Sequence, residues 1–148
     1  MSMTLEDFIK RARLKEEQKI KVVRLDVEGY GELEFVRPSI NELMKYQKGI
    51  IEGTDVEVNT TDEDLKDKTI NSREVNFSAI AKISSEFIYN TCGFCRAKEI
   101  RDMYSSTYPF DIPIELFGIT ECIKIASAVF SEFNGAKQVK EAVEEIKN

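Results

Sequence analysis

The chain has no histidine and no tryptophan, and only three cysteines and three prolines in 148 residues. Without histidine there is no Ser-His-Asp or Cys-His catalysis, no imidazole proton shuttle and no ordinary catalytic zinc site. Nothing in the sequence points to carboxylate-only chemistry, so no catalytic residue, cofactor or metal is expected. An odd cysteine count fits a reducing compartment better than a disulfide framework. No apolar run approaches the roughly 20 residues that span a bilayer. The opening Met-Ser-Met-Thr-Leu-Glu-Asp-Phe lacks a signal-peptide core, so a cytoplasmic location is expected. Basic residues are also in deficit: 21 Lys and Arg stand against 27 Asp and Glu, a net charge of −6. The run Lys10, Arg11, Arg13, Lys15 is followed at once by Glu16 and Glu17. A nucleic-acid binder needs a basic face, and none is visible.

What is present reads as one mainly α domain over 1–148, a helical bundle-like α+β fold with one N-terminal antiparallel β-hairpin. Thr4 caps a helix over 4–18, with Glu6 and Asp7 at its positive end. A thin stripe of this kind, here Leu5, Phe8, Ile9, Ala12 and Leu14, usually docks on the protein's own core and only sometimes on a partner. Over 20–36 the period changes to two: Val23, Leu25 and Val27, then Leu33 and Phe35, alternate with charged residues around Glu28-Gly29-Tyr30-Gly31. This predicts a hairpin with one dry face. Ser39 and Glu42 form a capping box for a helix over 39–51, with Ile40, Leu43, Met44, Gln47 and Ile50 or Ile51 on its apolar side. Gly53 is expected to end it.

A polar, mobile loop is expected over 53–71. Its acidic side chains lack the ligand order and central glycine of a calcium loop. Residues 72–135 form the helical core. Asn71 or Ser72 caps its first helix, with Glu74 answering, and Val75, Phe77, Ala79, Ile80, Ile83, Phe87 and Ile88 wrap that helix. A short helix is expected from Cys95 to Tyr104. Pro109 and Pro113 redirect the chain, and Asp111 is placed to cap a short helix ending at Gly118. Ile119 to Phe133 is the second core helix, stopped by Asn134-Gly135. A terminal helix follows over 136–148, with Val139, Ala142, Val143 and Ile146 on one stripe.

Two stretches invite a chemical reading. Cys92-Gly-Phe-Cys95 has dithiol spacing, but it follows a long helix rather than a strand. A zinc site has only Cys122 left to recruit, so buried structural thiols are the preferred reading. The second stretch, Tyr108-Pro-Phe-Asp-Ile-Pro-Ile-Glu-Leu-Phe117, is densely apolar for a connection. It either folds back on the core helices or presents a patch that accepts a partner helix.

The chain resembles the tail assembly chaperones of phages and prophages of Gram-positive bacteria, the XkdN-like group. The likeness rests on Met-Thr-Leu-Glu-Asp-Phe-Ile, on the hairpin leading into Phe35-Val-Arg-Pro-Ser-Ile-Asn-Glu-Leu-Met44, and on Phe87-Ile-Tyr-Asn. It continues through Tyr108 to Phe117 and Gly-Ile-Thr-Glu-Cys-Ile-Lys-Ile-Ala to Phe133-Asn-Gly135. Coverage is nearly the full chain, and the order of features carries the case. The Cys92–Cys95 pair and Pro113 depart from the family plan. The resemblance implies a binding function: keeping the long, apolar tape measure protein soluble while tail tube subunits polymerise around it, then leaving before the virion is complete. The tail tube protein is a further candidate partner, and self-association is left open. Partner contacts are expected at Phe110, Ile114, Leu116 and Phe117 and on the terminal stripe of Val139, Val143 and Ile146. The family often makes a longer form by ribosomal frameshifting. The alternatives are a structural or adaptor protein of the tail, or a dithiol redox protein using Cys92 and Cys95.

Overall fold

The computed structural model describes residues 2–54, 56–57 and 73–135. Among them are six α-helices and an N-terminal two-stranded antiparallel hairpin, the mainly α architecture with one hairpin that the sequence pattern predicts. A second, very short ladder was not foreseen.

Helix α1 (Leu5–Gln18) starts as expected, with the Thr4 hydroxyl accepting from the Asp7 backbone N–H at 3.2 Å. Its apolar stripe does not dock on the core. No α1 residue is buried, and Leu5 and Phe8 are 73% and 60% exposed. At about 100° per residue, Leu14 also falls on the far side from Leu5, Phe8, Ile9 and Ala12.

Strands β1 (Val22–Val27) and β2 (Gly31–Val36) pair with Val23 opposite Phe35 and Leu25 opposite Leu33. Gly29 and Gly31 take φ of 86° and 83°, a region that side chains disfavour, and so turn the chain. The Tyr30 N–H closes the turn on the Val27 carbonyl at 2.9 Å. Val23, Val27, Leu33 and Phe35 bury one face, while Arg24 faces Glu32 and Glu34 on the other. The dry face lies over α6 and α3, where Arg37 secures it. That guanidinium donates to the Ile20 carbonyl at 2.6 Å and to the Phe133 carbonyl at 2.8 Å. It also sits 5.3 Å from the Phe133 ring centroid, and its charge suits the negative end of α6.

Helix α2 (Ile40–Thr54) is capped by Ser39, whose hydroxyl accepts from the Glu42 N–H at 3.2 Å. Its inward face is Leu43, Tyr46, Ile50 and Gly53, while Ile40, Met44 and Ile51 are exposed. Gly53 does not stop the helix. It is buried one residue before the end, and a Cβ there would lie 2.6 Å from Ile80 Cγ1. A Cβ at Gly49 would lie 2.6 Å from Ile83 Cγ1. The two glycines form a notch that lets α3 approach closely.

Strand β3 (Val56–Glu57) pairs antiparallel with β4 (Arg73–Glu74). Residues 73 and 74 are therefore strand, and α3 runs Phe77–Thr91, several residues later than expected. Its cap is Asn76, which accepts from the Ala79 N–H at 3.1 Å and donates its own N–H to the Gly53 carbonyl at 2.7 Å. Asn71 and Ser72, expected as caps, lie outside the described residues, as does most of the polar segment over 53–71. Helix α3 buries Ile80, Ala81, Ser84, Ser85, Phe87, Ile88 and Thr91, with α2 on one side and α6 on the other.

The segment expected as one helix from Cys95 splits into a 3-10 turn (Gly93–Arg96) and α4 (Lys98–Met103). A further 3-10 turn (Pro109–Asp111) leads into α5 (Ile112–Phe117), which carries Pro113 in its first turn. Gly118, at φ 87°, separates it from α6 (Ile119–Phe133). Asn134 and Gly135 (φ 77°) close that helix as expected.

Candidate functional site

The Tyr108–Phe117 stretch is stapled to α3 and to the turn of the hairpin. The Ser85 hydroxyl donates to the Phe110 carbonyl, and Lys82 meets Asp111 at 2.7 Å. Asp111 spends its carboxylate on that ion pair and caps nothing through its side chain, contrary to expectation. The Phe110 ring stands edge-on to Tyr89 at 5.3 Å. Ile112 and Pro113 are buried. The Tyr30 hydroxyl donates to the Leu116 carbonyl at 2.6 Å, and its ring meets Phe117 edge-on at 4.9 Å.

The four expected contact residues here do not act as a set. Phe110, Leu116 and Phe117 are half-buried and engaged internally, as above, while the half-buried Ile114 opens onto a cleft. Val139, Val143 and Ile146 lie outside the described residues.

That cleft, of about 390 Å³, is lined by Phe77, Ser78, Ala81 and Lys82 of α3, Ile114 of α5 and Ile119 of α6. Phe77 and Ile119 are 68% and 55% exposed, large apolar side chains that line the cleft together with Ile114. Sequence reasoning assigned both residues to core helices. Each sits in the first turn of its helix, where a periodicity argument cannot tell whether another element covers it. Lys82, one of the lining residues, is paired with Asp111. The arrangement offers apolar contact area with one ion pair, which suits binding. A second hollow of about 400 Å³ between β1 and α6 includes Arg24 and Glu132 and is more polar.

The thiols are elsewhere. Cys92, Cys95 and Cys122 are free and fully buried beneath the hairpin. A hydrogen bond with the Cys95 thiol, helped by the Phe94 and Cys95 backbone N–H groups, holds Cys92 below the ordinary cysteine value. That same bond, and then burial, pushes Cys95 upward. Burial raises Cys122 to about 12. A dithiol that exchanges with a partner must be reachable, and these are packed against Phe35 and Val129 in the same core. Among the described residues no group of three His, Cys, Asp or Glu side chains is placed to hold a metal ion. No described helix is long and apolar enough to cross a membrane. No protein-family model, curated protein or solved structure matches this chain.

Proposed function

We propose that this protein is a tail assembly chaperone of the kind its sequence resembles. It acts in the cytoplasm of a bacterial host, binds an amphipathic helical stretch of a tape measure protein, and leaves before the particle is finished. The observation that carries the site is the exposed pair Phe77 and Ile119, which line a largely apolar cleft with Ile114, the kind of surface that can take the apolar face of a helix. The partner is named by the resemblance, and the net charge of −6 favours keeping loaded complexes apart.

The test is co-expression with the tape measure protein of the same genome, followed by size-exclusion chromatography. The long protein should become soluble and co-elute. The double variant Phe77→Ser/Ile119→Ser should lose at least about 10-fold in co-eluting partner, the effect of removing roughly 1.4 kcal/mol of contact. Both side chains are mostly exposed, so the unfolding temperature should not fall. A tape measure protein that stays insoluble, or a double variant that binds as well as the original, overturns the proposal. A protein found in finished particles would be a structural component of the tail instead.

A further inference from the structure

Helix α1 has 14 residues and buries none of them. An isolated helix of that length is marginal in water, so something else must hold it. Its exposed apolar patch is Leu5, Phe8, Ile9 and Ala12. At about 100° per residue, Leu5 and Ala12 lie over the centre line, with Phe8 and Ile9 to either side. The patch is therefore centred between Phe8 and Ile9 and maps onto itself under a two-fold rotation.

We propose that α1 pairs antiparallel with the α1 of a second copy of this chain, about a two-fold axis between Phe8 and Ile9. Leu5 then packs over Ala12 of the other copy, while Phe8 meets Phe8 and Ile9 meets Ile9. The charges select this occupant and direction. Glu6 and Arg13 share one flank of the patch, and Arg11 lies on the other. Antiparallel rotation places Glu6 of one copy near Arg13 of the second, twice by symmetry. Parallel pairing would instead set Arg13 of one copy against Arg11 of the other. The interface is isologous and closes at two copies. With four apolar side chains per copy it is small, at the low end of specific interfaces.

The experiment is sedimentation of the full chain over a concentration series through the micromolar range, with no tape measure protein present. The result is thus independent of the proposed cleft. The unmodified protein should shift from monomer to dimer. Two variants, Glu6→Arg and Arg13→Glu, should each remain monomeric at concentrations where the original is dimeric. An equimolar mixture of the two should recover the dimer. Neither residue is buried, so the thermal melt of the body reports that both variants remain folded. Phe8→Ser, which leaves the charges intact, should also lose the dimer. A protein monomeric throughout, variants that dimerise unchanged, or a mixture that stays monomeric overturns the proposal.

Discussion

Cys122 ionises reluctantly because packing has removed it from water, and Tyr46 does so for the same reason. Burial is the first cause in both cases and raises each to about 12, from ordinary values near 9.0 and 10.0. Ser84 lies close enough to draw the Tyr46 phenol back slightly, yet its Oγ makes no hydrogen bond of acceptable geometry. The consequence for stability has a definite sign. Between about pH 9 and 12 the unfolded chain releases these protons and the folded chain keeps them. Their contribution is complete below the unfolded values and drains away as pH rises through the folded ones, by up to about 1.4 kcal/mol per pH unit for each group. Urea unfolding at pH 8 and at pH 10.5 should show a drop, and Cys122→Ala should remove roughly 1–2 kcal/mol of it. An equal drop in the variant would mean that the thiol is not desolvated as described.

At the scale of elements, the closest fit is between α2 and α3. Gly49→Ala gains roughly 1 kcal/mol of helix propensity but drives a methyl against Ile83. Overpacking of that kind costs about 1–3 kcal/mol, so the net effect should be destabilising by up to about 2 kcal/mol. In an Ile83→Ala background the same change should cost nothing or stabilise, and thermal unfolding of the four proteins completes the cycle. The elements differ in how legible they are from sequence, and the reason is locality. Thr4 and Ser39 were readable as caps because each bonds an N–H three residues away. The α3 start was not, because several polar residues compete as its cap. The selection of Asn76 depends on the Val56–Glu74 pairing and on the Gly53 carbonyl, both distant in sequence. Gly53 looked like a stop for the same reason, since its neighbour Ile80 cannot be seen from local pattern.

Across the whole molecule, the hairpin's alternation and the apolar faces of α3 and α6 made the fold class legible. The cleft was only partly so: Ile114 stood out by apolar density, whereas Phe77 and Ile119 required knowing which helix ends stay uncovered. Arg37 was not singled out at all, because its value lies in reaching Phe133, 96 positions along the chain. Arg37→Ala should cost about 2–3 kcal/mol in denaturant unfolding, the scale of hydrogen bonds from a charged group, here two part-buried ones. Arg37→Lys should recover little, because an ammonium cannot fork to two acceptors in this geometry. A loss under 0.5 kcal/mol would show the bridge to be incidental. The bridge also has a mechanical consequence. If the folded chain were pulled between residues 4 and 135, tension entering through α1 would reach Ile20, and tension entering from the other side would reach Phe133. One guanidinium grips both carbonyls, so the load would fall first on Arg37, a tether across the point where the two ends of the body are drawn apart.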